Sequence, residues 1–286
     1  MMKRLLIFML LSIQLIFGAG CGKKSTRYEA PDSSRECYNP DWSPDGKKIV
    51  FNSSGGICMV NLDDSSFVTI LPENDVWHLV YGDPAISCKE IIAYVVNQYS
   101  FGSAEYSYIE VMDLETGETH VVDGIKYQGV GSPDWSQDGE KMIYEKGNII
   151  YINGIEVAGG ISPNWGANGE IIYLSSVDDS FGLEIYRMDS DGGNKVRLTR
   201  NNVCEWDPAL SPDGKKVAYR QDYDILLMDL EADSVVNLTH SEAFDRSPAW
   251  SPDGSKIAFA SNRSGKYQIY IMDTGGNILQ QVTRPP

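Results

Sequence analysis

The residues with the greatest chemical reach in this chain are few and scattered. Three histidines, His78, His120 and His240, stand too far apart for any metal-ligand spacing, and no cysteine–histidine cluster accompanies them. No G-x-S-x-G nucleophile elbow occurs. A base, a carboxylate and a cation that a sugar lyase would need can be assembled from His78, Glu205 and Arg246, but nothing in their spacing ties them together. Carboxylates recur in Asp45-Gly46, Asp138-Gly139, Asp213-Gly214 and Asp253-Gly254, with Asn168-Gly169 as a fifth copy. Repeated aspartate suggests calcium, yet turn chemistry accounts for every copy. Glycine reaches positive φ without a Cβ clash, and aspartate closes a local Asx turn. The sequence therefore predicts no metal, no cofactor and no catalytic residue.

The Asp-Gly pairs belong to a larger phrase. It reads PDWSPDGKKIVF at 40–51, PDWSQDGEKMIY at 133–144, PNWGANGEIIY at 163–173, PALSPDGKKVAY at 208–219 and PAWSPDGSKIAF at 248–259, with a worn copy, PAISCKEIIAY, at 84–94. Successive prolines lie 44, 49, 30, 45 and 40 residues apart. A period of 40–45 residues built of short alternating runs is the signature of propeller blades. In the last copy, KIAFAS (256–261), YQIYIM (267–272) and ILQQVT (278–283) follow the proline strand, which makes four strands. One such sheet cannot bury both faces alone, and radial stacking of six buries them against one another. The expectation is all-β: a six-bladed propeller over 36–286, closed by packing of blade one on blade six without strand exchange. Trp42, Trp135, Trp165 and Trp250, with Ile86 and Leu210 standing in, read as packing between blades.

The repeat resembles the TolB-type β-propeller motif, in which tryptophan, Ser-Pro-Asp-Gly, an aliphatic strand and an I-Y-x-M-D strand follow in order. The last element stands here as 185–189, 225–229 and 269–273, and the fourth strand often closes on Leu-Thr, as in Leu198-Thr199 and Leu238-Thr239. The resemblance implies a protein-interaction module. TolB itself carries a further mixed α/β domain before its propeller, for which this sequence has no room. The third copy is shortened to little more than four strands.

Ahead of the repeats, Lys3 and Arg4 precede an apolar run from Leu5 to Phe17, the layout of a secretory signal peptide over 1–20. The sequence Phe17-Gly18-Ala19-Gly20-Cys21 resembles the lipobox of bacterial lipoproteins, with Gly18 where most carry leucine; the resemblance makes Cys21 the lipidated first residue. Residues 21–35 are polar and aperiodic, a tether of about 20 Å as a coil. With no aspartate after Cys21, the resemblance favours the outer membrane facing the periplasm. The formal charge of −16 becomes −18 once Lys3 and Arg4 are removed, which repels phosphate backbones and excludes nucleic acid as a partner. The membrane is then engaged through the lipid alone, and the propeller is expected as a monomer. Cys37, Cys58, Cys88 and Cys204 permit three pairings, which the sequence does not choose among.

If the proline strand runs from a top face to a bottom face, the Ser-Pro-Asp-Gly turns lie at the bottom, and longer segments gather at the top. There the candidates for binding are Trp77, His78, Tyr81, Tyr99, Phe101, Tyr106, Tyr127, Glu205, Trp206, Phe244, Asp245 and Arg246, with 97–108 read as a long loop of blade two. The expected function is a non-catalytic cell-envelope module that binds a protein or peptide on this face. The alternative is a carbohydrate-binding or lyase-like propeller whose aromatics stack on sugar rings.

Overall fold

A computed structural model describes residues 36–283 apart from 55, 73–78, 101–102, 127–128, 177–181 and 202; of 79–81, 99–100, 103–105 and 124–126 it describes the backbone only. Twenty-four strands form six four-stranded antiparallel sheets, each made of four consecutive strands. The innermost strands are Cys37–Trp42, Leu79–Ile86, Val130–Trp135, Ile161–Trp165, Glu205–Leu210 and Asp245–Trp250. Each contains the repeat proline. Proline is tolerated there because one side of an innermost strand is an edge, facing the central channel.

The residue before each proline is forced out of the right-handed helical region. Here all six, Asn39, Asp83, Ser132, Ser162, Asp207 and Ser247, take φ between 44° and 52°. They are small polar residues, among which asparagine and aspartate tolerate the left-handed region best. Each sits at a bulge that shifts the register against the second strand. The bulge sends these six side chains around the channel as a collar.

Two recurring kinds of polar contact join the blades beside the proline, and the residue after the proline decides which. Where it is Asp or Asn, its side chain accepts the backbone N–H two residues past the next proline: Asp41 from Ile86 at 2.9 Å, Asp134 from Trp165 at 2.7 Å, Asn164 from Leu210 at 2.8 Å. Where it is alanine, its carbonyl accepts the indole N–H of the next blade's tryptophan: Ala85 from Trp135 at 3.3 Å, Ala209 from Trp250 at 3.0 Å, Ala249 from Trp42 at 3.2 Å. The last of these closes the ring, helped by Cys37 N–H donating to the Tyr267 carbonyl at 2.9 Å and by an apolar cluster shared between blades one and six. Among the described residues closure is by packing and no strand of one blade joins another's sheet. Ile86 and Leu210 stand where tryptophan is dispensable, because Asp41 and Asn164 already hold those junctions.

The recurring motifs have local causes. In the bottom turn of blade six, Ser251 Oγ donates to Asp253 at 2.6 Å, and Asp253 accepts Ser255 N–H at 3.0 Å. Gly254 takes φ of 70°. These bonds hold the Asp253 carboxyl down to about 2, with the Ser251 hydroxyl the leading cause. Ser43–Asp45, Ser136–Asp138 and Ser211–Asp213 repeat the 2.6 Å bond. The closing threonine of the fourth strand caps the third: Thr199, Thr239 and Thr283 hydroxyls accept the N–H of Ile185, Ile225 and Ile269.

Blade two corrects the expectation of a long loop over 97–108. Ile91–Ser100 and Ser103–Asp113 are continuous strands that pair as far as Ser100 with Ser103. The neighbouring strands follow them up, Leu79 opposite Gln98 and Lys126 opposite Tyr106. The alternation of 103–113 fits a strand as well as it fits an aromatic loop, and backbone pairing decides. Against second strands of six residues in blades one, four, five and six, this one has ten, so the sheet stands about 13 Å taller.

Candidate functional site

The collar marks the top of a channel of about 370 Å³ running down to the bottom turns at Pro44, Pro212 and Pro252. Collar residues are bonded along the circumference: Ser247 Oγ donates to Asn39 at 2.8 Å, Asn39 Nδ2 to Asp83 at 2.5 Å, and Ser247 N–H to Asp207 at 3.1 Å. Below it Asp41 and Asp134 face the channel. Burial raises both carboxyls, and for Asp41 the neighbouring Asp134 charge adds to the rise. Burial also raises Asp83, and it lifts Glu145, which accepts the Ser162 N–H, to about 7. The channel is thus a low-dielectric space rich in carboxyl groups.

Above the collar, around blades five, six and one, the surface changes character. Tyr38 and Tyr267 lie with ring centroids 4.8 Å apart; Phe244 is 6.4 Å from Tyr267, and Tyr223 is 4.7 Å from Phe244. Arg246 places its guanidinium 4.3 Å from the Tyr38 centroid and 5.0 Å from that of Tyr267. Arg220 does the same for Trp206 at 5.3 Å and Phe244 at 5.6 Å, with its Nε 3.5 Å from Asp207. Such stacking holds a guanidinium plane without using its N–H donors. Trp206 is 37 % exposed and Tyr223 60 %. This row can grip an extended ligand by aromatic faces and donate hydrogen bonds from two planar cations.

Of the sequence-predicted residues, Trp206, Phe244 and Arg246 come together in this row. Glu205 and Asp245 do not belong to the accessible face: both are fully buried. Glu205 accepts Asn201 Nδ2 at 2.6 Å, while Asp245 takes a two-pronged contact from Arg263 Nη2 at 3.0 and 3.2 Å. The cause is the period of two along a strand, which turns these residues inward and their successors Trp206 and Arg246 outward. That burial also separates Glu205 from the acid–base trio considered for sugar chemistry. Tyr106 is exposed, but on the raised sheet of blade two. Tyr81 and Tyr99 lie on that sheet's strands, their side chains outside the described portion, and Trp77, His78, Phe101 and Tyr127 lie outside the described residues. His120 falls in a fourth strand, Thr119–Lys126. Cys37 and Cys58 are buried on the first and third strands of one blade, whereas Cys88 sits at a bottom turn and Cys204 at the top of blade five. Among the described residues no three potential ligands cluster for a metal.

Sequence reasoning missed Tyr38, Arg220, Tyr223 and Tyr267. A signal existed: Tyr223 and Tyr267 occupy one repeat position, two residues before the isoleucine of the third strand, and Tyr38 aligns with Trp206 and Arg246, two residues before the proline.

The ring is a six-bladed β-propeller with carboxyl groups along its channel and aromatic and arginine side chains at its mouth. Residues 208–285, which hold most of blade five and all of blade six that the structure describes, match the family model described as TolB beta propeller domain. Among solved structures the chain is similar to TolB from Acinetobacter baumannii, with 24% identity and a TM-score of 0.64 over 93% of this chain and 65% of that one. It therefore spans just under two thirds of that TolB's length. An oligogalacturonate lyase from Vibrio parahaemolyticus is similar at 13% identity and TM-score 0.56, over 84% of this chain and 91% of that one. The tricorn protease reaches TM-score 0.67 at 16% identity, over 87% of this chain and 26% of its own. At these identities the likeness establishes fold alone. No curated protein sequence matches the chain.

Proposed function

We propose that this protein is a non-catalytic interaction module of the bacterial cell envelope, anchored by a lipid on Cys21, which binds a protein or peptide segment across the mouth of its propeller. The observation that carries this reading is the row Tyr38–Tyr267–Phe244–Tyr223 with Arg246 and Arg220 stacked on it. Tyrosine, tryptophan and arginine are the residue types that anchor protein interfaces, and a rigid ring presents them at low entropic cost. The TolB-type repeats support an interaction role, the lipobox-like 17–21 supports lipid anchoring, and the absence of aspartate after Cys21 supports an outer-membrane, periplasm-facing location. A carbohydrate reading draws on the exposed rings and on the carboxyl-lined channel, but the fully buried Glu205 is withdrawn from the acid–base trio it would need, and the broad aromatic rim suits a protein segment better.

Crosslinking and co-purification from intact envelopes, comparing wild type with a Trp206→Ala, Arg246→Ala double variant, tests the proposal. A partner recovered with wild type and lost with the double variant is expected. Recovery of the same partner by both forms, or a thermal shift with an acidic oligosaccharide in place of any protein partner, would count against it.

A further inference from the structure

Arg246 is unlike the other arginines around it. Arg263 spends its guanidinium on Asp245 and Ser261, and Arg197 spends its own on Glu184 and the Thr199 carbonyl. Arg220 reaches Asp207 and the Asp222 carbonyl. The Nε atoms of Arg246 and Arg220 are both buried without a hydrogen-bond partner, but Arg220 is ion-paired with Asp207, whereas no described residue forms an ion pair with Arg246. Its contacts are the faces of Tyr38 and Tyr267. A half-buried guanidinium whose donors are unspent is costly in isolation and is stabilised by an incoming acceptor. The two rings fix the plane in which that acceptor must lie.

From this arrangement we infer that the mouth takes a side-chain carboxylate of an extended peptide, with Arg246 as its two-pronged donor between Tyr38 and Tyr267. The inference rests on the peptide-binding reading above and names the chemistry at its centre. A carboxylate matches the planar guanidinium fork in a way that a hydroxyl or a single carbonyl does not. A polyanion does not suit the place. The chain carries a formal charge of −16, and Asp83 and Asp207 stand in the collar beside the two arginines, so the favourable field is short-ranged and accommodates one negative group. A side chain is favoured over a chain terminus because the aromatic row continues on both sides of Arg246, to Tyr38 in blade one and through Tyr267 to Phe244 and Tyr223 in the other direction. The peptide therefore runs past the arginine rather than ending on it.

The test is selection of a displayed library of random dodecapeptides on the full chain in detergent, followed by fluorescence anisotropy of one enriched peptide. The expected winners share one Asp or Glu flanked by apolar residues. Changing that acid to its amide should weaken binding to wild type about tenfold and leave binding to Arg246→Gln unchanged. C-terminal amidation should have no effect. Arg246→Lys, which keeps the charge but not the fork, should bind the acidic peptide more weakly than wild type, and it serves as the second variant if Arg246→Gln does not fold. Winners without an acid that still depend on Trp206 would overturn the carboxylate while leaving the peptide face standing. Equal loss on amide substitution in wild type and Arg246→Gln would overturn the assignment to Arg246. Loss of binding on amidation would transfer the site to a chain terminus. Failure to enrich any peptide, with binding of oligogalacturonate instead, would overturn both readings.

Discussion

Trp42 closes the ring, and its replacement by phenylalanine measures what that closure is worth. Trp42 is 5 % exposed within the apolar cluster shared by blades one and six, and its indole N–H donates to Ala249 at 3.2 Å. Loss of one neutral hydrogen bond costs about 1 kcal/mol, at the low end because water in the channel can reach the orphaned carbonyl. Exchanging an indole for a phenyl leaves a void of about 40 Å³, which adds about 1 kcal/mol. The total of about 2 kcal/mol corresponds to a fall in Tm of about 4–8 °C for a folded unit of this size. Trp135→Phe removes the same bond to Ala85 at 3.3 Å, but there the chain itself continues from one blade to the next. Blades one and six have no such link, so only Trp42→Phe should open the ring locally. Hydrogen–deuterium exchange at the Cys37 amide, which bonds Tyr267 across the closure, reads this opening directly. A Trp42→Phe protein with Tm within about 2 °C of wild type, or with a Cys37 amide no faster in exchange than in Trp135→Phe, would refute the reasoning.

Three further outcomes follow from the channel and the turns. Glu145 is raised from the ordinary carboxylate range to about 7 by burial, so its contribution is fully present below the unfolded value near 4.5 and is lost as pH rises through about 7. Glu145→Gln should flatten the Tm–pH profile between pH 5 and 8 by about 2 kcal/mol, allowing for partial exposure, and a wild-type profile already flat in that window would contradict the assignment. Asp253, held down to about 2 by Ser251 and Ser255, acts with the opposite sign: its stabilisation is present above about 4 and disappears as pH falls toward 2. Asp253→Ala should therefore lower Tm at pH 7 and lose most of that deficit by pH 2.5; an undiminished deficit in acid would show that geometry, not charge, is at work. At the junction of blades one and two, Asp41→Asn keeps an acceptor for Ile86 N–H, as Asn164 does for Leu210, whereas Asp41→Ala does not. Chemical denaturation at pH 8 should rank Asn above Ala by about 1 kcal/mol, and equal stabilities would dismiss the junction as a source of stability.

The sequence made the ring legible because its cause is repetitive. Six prolines, one per blade, five Asp/Asn-Gly pairs and two Leu-Thr endings each mark a local backbone need that recurs around the ring. What escaped was chemistry at positions where the copies differ. Glu205 and Asp245 looked like surface carboxylates beside Trp206 and Arg246, yet alignment on the proline puts them three residues before it, where Cys37 and Val130 are also buried. Tyr38 and Tyr267 fall inside runs that read as strands, and nothing local marks them or Tyr223 as a site until folding brings blades five, six and one side by side. Blade two misled for another reason: whether NQYSFGSAEYSY pairs with itself depends on the neighbouring strands rising with it, and no local pattern announces that.

Register along the inner strand divides structure from recognition. Three residues before the proline the described side chains, Cys37, Val130, Glu205 and Asp245, are buried; one before, the side chain forms the collar; one and two after, the residue holds a junction between blades. The position two before the proline is released from all these duties, and there the blades diverge: Tyr38, Trp206 and Arg246 in blades one, five and six, against Gly82, Gly131 and Ile161 in blades two, three and four. At this position one half of the mouth is furnished with a tyrosine, a tryptophan and an arginine, and the other carries two glycines and an isoleucine. The raised sheet of blade two stands next to blade one and bounds the furnished half on that side. A compact ligand centred on the axis would leave both features unused. An elongated one, lying along the aromatic row with its end against blade two, engages them together, and that geometry supports the proposed extended ligand.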